Sequence, residues 1–203
     1  MTPTSSLSTR DTVLIALFAA LIVVFSLMPP VPLAGIPVPI TLQTFGVMLA
    51  AAMLGPRRGL LACALYTVLW AVGLPVLPGG RGGLGVLAGP TGGFLVGMVA
   101  GAWVTGWMAQ RLGGEAINRF SQWLGYALAC VCGGIAVVYA VGIPWLAAMT
   151  GMGLTKAAAA SLVFVPGDLV KAALVAVVVT QVRRAWPLGW RCSAARPRAM
   201  RCP

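Results

Sequence analysis

Two charged side chains lie inside one of the most apolar stretches of the sequence. Asp168 and Lys171 occur in VFVPGDLVKAALVAVVVTQVRRAW, in a chain of 203 residues that contains three acidic residues in all. A carboxylate accepts hydrogen bonds and an ammonium donates them. Three positions apart on a helix, the two side chains share one face. The pair could therefore bind a polar small molecule, or it could neutralise itself inside a packed structure.

A glycine-rich stretch is the second candidate for ligand binding. GGRGGLGVLAGPTGGF contains Arg81 between glycines that would let the backbone fold closely over a site. The segment GPTGG, from Gly89 to Gly93, opens the next apolar stretch, so its backbone N–H groups could meet an anion or a carbonyl oxygen. It is not an ATP-binding P-loop, because the chain contains no Gly-Lys dipeptide.

The composition excludes a soluble globular protein. Hydrophobic residues make up 60% of the chain and charged residues 8%, whereas a soluble domain typically has about 25% charged residues. Apolar stretches of roughly 18 or more residues recur, which is the length of an α-helix that crosses about 30 Å of hydrocarbon. None of them shows the strict alternation of apolar and polar residues that is typical of a barrel strand. The sequence predicts an all-α integral membrane protein, and an uncleaved first helix is favoured over a signal peptide.

Glycine, proline and charged residues divide the chain into six predicted membrane spans. The spans cover approximately residues 11–28, 38–54, 59–76, 90–110, 121–143 and 164–182. Eleven of the fourteen basic residues then lie on one side, and because cytoplasmic loops collect Lys and Arg, both termini are predicted to be cytoplasmic. We expect a six-helix substrate-binding domain over residues 1–185 and a flexible, basic cytoplasmic tail over residues 186–203.

Helix geometry places the charged pair within the membrane. Asp168 lies about 22 Å and Lys171 about 18 Å from Arg183 along a helix, which puts both in the outer third of the core. Pro166 and Gly167 put Asp168 in a first turn, where free N–H groups and the helix dipole stabilise an acceptor. Charges at this depth cost about 2.5–3.5 kcal/mol each and usually face a cavity or one another. A receptor site is favoured; an ion pair that only pins the last helix is the alternative.

Other chemistries find little support in the sequence. The net charge of +11 is explained by membrane topology, so no nucleic-acid partner is expected. The chain has no histidine, and its five cysteines form no CxxC pair, so no metal site is expected. No serine lies in a GxSxG context. A minor alternative is an intramembrane lipid-modifying enzyme in which the charged pair acts as acid and base.

Small residues mark two faces on which helices could pack closely. Gly93, Gly97 and Gly101 form a GxxxGxxxG ridge on the fourth span, and Ala16 and Ala20 form an AxxxA pattern on the first. Both patterns allow close approach of another helix, within the chain or from a partner. Internal packing is favoured for the glycine ridge.

Four stretches resemble the BioY family, the substrate-binding S components of energy-coupling-factor (ECF) transporters for biotin. They are IPVPITLQTFGVMLAAAMLGPRRG from Ile36, YTVLWAVGLPVLPGGRGGLGVLAGPTGGFLVG from Tyr66, GIPWL from Gly142 and PGDLVKA from Pro166. Together with the six-span layout, the resemblance covers nearly the whole chain except the C-terminal tail.

The resemblance implies a multi-pass receptor in a prokaryotic cell membrane that captures biotin from outside. It implies a membrane-embedded T component and ABC-type ATPases as partners, so the chain is expected to be a transporter subunit rather than an enzyme and to need no cofactor. The pocket would lie beneath the proline-rich stretch after Met28 and the glycine-rich stretch. Asp168 and Lys171 would be ligand residues, and Ala16 and Ala20 would meet the T component.

Biotin has a ureido group, an apolar bicycle and a carboxylate. The chemistry of these groups suggests which side chain would bind each of them. Asp168 would accept the ureido N–H bonds, and Lys171 would donate to the ligand or neutralise Asp168. The remaining expected ligand contacts are hydrogen bonds from Gln43, Gly89, Thr91 and Gly92, apolar walls from Tyr139 and Trp145, and attraction of the carboxylate by Arg81. A receptor or facilitator for another small vitamin-like anion is the main alternative.

Overall fold

The structure is a computed structural model that describes residues 8–30, 41–114 and 118–185. Over these residues the regular secondary structure is helical, as the sequence predicts. The helices are α1 (Thr9–Leu27), α2 (Gln43–Leu54), α3 (Pro56–Ala71), α4 (Gly92–Met108), α5 (Arg119–Ala129), α6 (Val138–Thr150), α7 (Leu154–Leu162) and α8 (Val165–Ala185). The proline-rich residues 31–40 and the basic tail lie outside the described residues.

Two π-helical segments lengthen these helices. Ala109–Gly113 extends α4, and Cys130–Val137 joins α5 to α6 in one helix, Arg119–Thr150. Four helices are long and apolar enough to cross a membrane, namely α1, α4 with its extension, the continuous α5–α6 helix and α8. The two remaining predicted spans correspond to the shorter helices α2, with 12 residues, and α3, with 16 residues.

The fifth predicted span ends too early at residue 143. Pro144 lies inside α6, which continues to Thr150. A proline removes one backbone hydrogen bond, but a membrane helix tolerates it where neighbouring helices pack around it. Gly142 contacts the ring of Phe94 on α4 in this region. The short helix α7, which follows, was not predicted.

The short apolar helix α2 lies at the centre of the bundle. Every residue from Gly46 to Leu54 is buried, and the helix contacts α1, α3, α4 and α8. Gly55 ends it with a positive φ of 84°, a conformation that glycine adopts without steric cost, and Pro56 opens α3 at a position where its missing N–H costs nothing. Buried apolar side chains on all sides explain why α2 reads as an unbroken hydrophobic run.

The glycine ridge of α4 packs against the α5–α6 helix, which confirms the prediction of internal packing. A Cβ atom at Gly97 would lie 3.0 Å from Val138 Cα, and one at Gly101 would lie 2.5 Å from the carbonyl oxygen of Gly133. Gly93 faces the same helix one turn earlier. The absence of side chains on this ridge therefore sets the distance between the two longest elements of the bundle.

A substitution on this ridge is expected to destabilise the fold despite a gain in helix propensity. In Gly101→Ala the new methyl group overpacks the contact with Gly133, and we expect the midpoint of thermal unfolding to fall by about 3–10 °C. Gly167→Ala is the matched control, because Gly167 is also helical but its Cβ would meet nothing within 4 Å. The control should melt at or above the wild-type temperature. Equal losses in both variants, measured by thermal aggregation in detergent, would contradict this packing account.

Basic side chains gather at one end of the bundle. Arg58 Nη2, at the start of α3, lies 2.8 Å from Asp11 Oδ1 at the start of α1. Near the end of α8, Arg183 Nη2 donates to the carbonyl oxygens of Ala52 at 3.2 Å and Met53 at 3.0 Å, in the last turn of α2. These contacts hold the starts of α1 and α3 beside the ends of α2 and α8. The ligand-binding candidates lie toward the opposite ends of these helices.

Candidate ligand-binding site

A cavity lies where the start of α2, the glycine-rich segment and the first turns of α4 meet. The space between the lining residues is about 400 Å³, a figure that includes open solvent at the mouth of the cavity. Its apolar lining comes from Leu77, Pro78, Val86, Phe94, Leu95 and Met98, and its polar lining from Thr41, Gln43, Arg81 and Thr91. The structure therefore brings three predicted ligand residues, Gln43, Arg81 and Thr91, to one cavity.

A tight turn holds Arg81 at the edge of this cavity. The Leu77 N–H donates to the carbonyl oxygen of Arg81 at 3.0 Å, and Gly79 and Gly80 between them have φ values of 77° and 71°, in the left-handed region that favours glycine. Arg81 Nε donates to the carbonyl oxygen of Pro78 at 3.2 Å. Arg81 forms no salt bridge with an acidic side chain in the described part of the chain. Its exposed guanidinium can therefore attract an anionic group at the cavity.

Gln43 and Thr91 present polar atoms to the cavity from α2 and α4. Gln43 is buried, and its Nε2 contacts Met98 Sδ at 3.5 Å. A thioether sulfur is a weak acceptor, so this amide keeps donor capacity for a ligand. Thr91 is the N-cap residue of α4, but its side chain makes no capping hydrogen bond. Both side chains can therefore form hydrogen bonds with a molecule in the cavity.

Asp168 and Lys171 form a buried ion pair in the first turns of α8, as their spacing predicts. Lys171 Nζ lies 2.8 Å from Asp168 Oδ1, and the side chains are 11% and 7% exposed. The ammonium also donates to the carbonyl oxygen of Thr41 at 2.6 Å and to Thr44 Oγ1 at 3.1 Å. Tyr139 Oη donates to Asp168 Oδ2 at 2.7 Å. These neighbours offset the cost of burying both charges.

The ion pair is adjacent to the cavity rather than in its lining. Thr41 lines the cavity and accepts the Lys171 hydrogen bond through its carbonyl group. Phe94, also in the lining, contacts the ring of Tyr139 edge to face, with ring centroids 5.9 Å apart. The predicted ligand residues thus fall into two connected groups, with Thr41 and Phe94 between them.

Trp145 has a different environment from the apolar ligand wall that the sequence suggests. Its Nε1 donates to the carbonyl oxygen of Gly89 at 3.2 Å. Its ring packs on Gly92 and Gly93, where a Cβ at Gly92 would lie 3.0 Å from the indole nitrogen. Trp145 therefore fixes the turn that carries Thr91 into the cavity. Tyr139, the other expected apolar wall, points its hydroxyl at Asp168.

Sequence reasoning missed two threonines of the polar network. Thr41 and Thr44 lie near the start of α2, more than 120 positions from the charged pair that they contact. The TLQT motif carries no local signal for contact with α8, since Ser and Thr are common at any helix start. Only the packing of α2 beside α8 brings these hydroxyl and carbonyl groups to the ammonium.

The arrangement suits a ligand that is partly apolar and has polar groups at more than one position. The cavity offers apolar walls, an amide, a hydroxyl and a cation, and a carboxylate and an ammonium lie directly behind one wall. Such a combination can bind a small amphipathic anion.

The predicted partner face of α1 is available for contact. Ala16 and Ala20 are exposed, whereas Ile15, Ala19 and Ile22 on the neighbouring face are buried against α2 and α3. Thr12, one turn before Ala16, is also exposed. The structure thus leaves the AxxxA pattern out of the internal packing.

Comparisons with known proteins agree with the resemblance in the sequence. A biotin transporter BioY of Rhizobium etli is 50% identical over 90% of this chain and 97% of its own, and one of Rhodobacter capsulatus is 45% identical over 88% and 95%. A crystal structure of the S-component for biotin from an ECF-type ABC transporter superposes with a TM-score of 0.80, at 33% identity, over 86% of this chain and 91% of the other. Residues 1–188 match the profile of the BioY family. This chain is therefore a multi-pass membrane protein that belongs to the BioY family.

Proposed function

We propose that this chain is the biotin-capturing S component of an ECF-type ABC transporter and mediates biotin uptake. The observation that carries the proposal is the cavity between α2 and α4, with Arg81 at its edge and the Asp168–Lys171 pair behind its wall. The relatives named as biotin transporters and the biotin S component of matching fold support biotin as the ligand. The chain transports its ligand without transforming it, so it needs no cofactor.

The polar groups of biotin match the two groups of side chains. The ureido group has two N–H donors, which the carboxylate of Asp168 can accept while Lys171 neutralises its charge. The apolar bicycle fits beside the aliphatic and aromatic walls, with Gln43, Thr91 and the turn at Gly89 and Gly92 supplying further hydrogen bonds. Tyr139 contributes by holding Asp168, and Trp145 by holding the turn.

We propose that six helices cross the cell membrane, with both termini in the cytoplasm. The four long apolar helices, α2 and α3 would be the spans. This orientation puts the basic end of the bundle, with Arg58 and Arg183, on the cytoplasmic side, as the distribution of Lys and Arg favours. The cavity then opens outward, where biotin is captured, and residues 186–203 form a cytoplasmic tail.

The proposed transport needs partners that supply energy. The chain has no P-loop, so ATP hydrolysis would come from ABC-type ATPases coupled through a T component. The exposed face of α1 with Ala16 and Ala20 is the proposed contact for the T component, because small residues allow close helix approach within a membrane.

Arg81 is expected to recognise the carboxylate of biotin. In Arg81→Gln we expect biotin affinity to fall about five- to tenfold, because one charge-assisted hydrogen bond at a partly exposed site is lost. Biotin amide, which lacks the negative charge, should bind wild type and variant equally well. Lys156→Gln is the matched control, since it removes another exposed basic charge, in α7, and should leave affinity unchanged. Equal losses for biotin and its amide, measured by equilibrium titration, would contradict this assignment.

Uptake assays test the transport proposal. A bacterial strain that lacks biotin synthesis and its own biotin transporter should grow on nanomolar biotin when this chain is produced with T-component and ATPase subunits. Accumulation of radiolabelled biotin should be blocked by excess unlabelled biotin and not by other small vitamin anions such as pantothenate or nicotinate. Accumulation of another anion with no biotin uptake would instead support the alternative receptor.

A further inference from the structure

Thr44 occupies the centre of the polar network without lining the cavity. Its Oγ1 accepts a hydrogen bond from Lys171 Nζ at 3.1 Å and donates one to Asp168 Oδ1 at 3.4 Å. A threonine hydroxyl has one donor and two acceptor sites, so both bonds can exist at once. The same hydroxyl therefore fixes the positions of both charged groups.

The position of Thr44 in the chain connects this network to the cavity. It lies in the first turn of α2, directly after Gln43, whose side chain lines the cavity. Three residues earlier, Thr41 lines the cavity and accepts from Lys171 through its carbonyl oxygen at 2.6 Å. The ammonium thus holds the start of α2 at two points, one in the main chain and one in a side chain.

The hydrogen bonds of the Lys171 ammonium indicate which interactions would be lost without the Thr44 hydroxyl. The three N–H groups of an ammonium have three acceptors here, in Asp168, Thr41 and Thr44. Removal of the Thr44 hydroxyl leaves one of these buried donors without its partner and takes one donor from the carboxylate, which favours rearrangement of the pair. The cavity wall at Thr41 and Gln43 depends on that ion pair. Rearrangement of the pair would therefore also change the cavity.

We infer that Thr44 is a positioning residue for biotin capture, which orients Lys171 and Asp168 and holds the adjacent cavity wall in its binding geometry. This inference rests on the proposed function. Thr44 acts through the charged pair and need not touch the ligand. Its contribution should therefore disappear when both charged groups are absent.

Substitution of the hydroxyl tests the inference. Thr44→Val keeps the shape of the side chain and should weaken biotin binding about tenfold, the usual effect of one hydrogen bond to a charged group. Thr44→Ser keeps the hydroxyl and should restore affinity to within about threefold of wild type. Thr180→Val is the matched control: Thr180 is also on a helix, and its buried hydroxyl bonds to the carbonyl oxygen of Ala176 in the same helix rather than to a charged group. The control should bind biotin as wild type does.

A double-mutant cycle separates positioning from a purely structural role. In the Asp168→Asn/Lys171→Met background, addition of Thr44→Val should change biotin affinity less than twofold, because the charged groups through which Thr44 acts are absent. Wild-type affinity in Thr44→Val, equal weakening in Thr44→Ser, or a full tenfold further loss in the Asp168→Asn/Lys171→Met background would each overturn the inference. Failure of the wild-type protein to bind biotin would refute the proposed function itself, which is a separate result.

Discussion

Replacement of Lys171 by methionine is expected to weaken biotin binding by about a hundredfold or more. The substitution leaves the Asp168 carboxylate buried without its counter-ion, so that carboxylate no longer keeps its binding geometry, and loss of one partner of a buried charge pair in a binding site typically costs about 2–5 kcal/mol of binding free energy. Asp168→Asn should have a comparable effect on binding, because an amide nitrogen then faces a donor in place of one oxygen, either Oδ1, which accepts from Lys171, or Oδ2, which accepts from Tyr139. Equilibrium titration of both purified variants with biotin measures the loss.

The double variant Asp168→Asn/Lys171→Met separates binding from stability. It removes both charges, so much of the thermal stability lost in Lys171→Met should return. Biotin affinity should stay low, because the two charged groups that would bind the ureido group are absent. If the single variants bind biotin as wild type does and only melt at lower temperature, the ion pair serves to pin α8 into the bundle and nothing more.

Bulky residues on the exposed face of α1 are expected to abolish uptake while binding persists. Ala16→Trp and Ala20→Trp each add a ring to a surface on which small residues would allow close approach of the T component. Both positions are exposed and neither lines the cavity, so the purified variants should bind biotin with wild-type affinity. Uptake of radiolabelled biotin in cells that contain the partner subunits should fall to the background of cells without this chain.

Leu128→Trp is the matched control for this face. Leu128 is likewise an exposed apolar side chain, but it lies on α5. Its replacement adds the same ring to the membrane-facing surface and should leave uptake near wild type. Wild-type uptake by Ala16→Trp and Ala20→Trp would place the partner contact elsewhere.

The local sequence was sufficient to predict the helix start at Asp168 and the shared face of Asp168 and Lys171. Proline and glycine before Asp168 give a helix start, and the structure has Asp168 in the first turn of α8 with Lys171 on the same face. The glycines around Arg81 likewise predict a tight turn, which Gly79 and Gly80 form with positive φ values. In each case neighbouring residues determine the conformation, so a short stretch contains the information.

The side-chain partners could not be predicted in the same way. Thr44 and Lys171 are 127 positions apart, and their contact depends on how α2 packs beside α8. The role of Trp145 also depends on packing, because its ring fits only where Gly92 and Gly93 leave room on α4. The resemblance to a biotin receptor suggested an apolar wall at Trp145, whereas the indole nitrogen donates to the carbonyl oxygen of Gly89.

Equilibrium binding of biotin to the purified chain, without T component, ATPases or ATP, tests biotin capture most directly. Calorimetric titration in lipid nanodiscs should give saturable binding at one biotin per chain, with a dissociation constant in the nanomolar range, and biotin should raise the temperature of unfolding in proportion to its occupancy. A folded chain that unfolds cooperatively but shows neither heat of binding nor thermal stabilisation at micromolar biotin would contradict the proposed function.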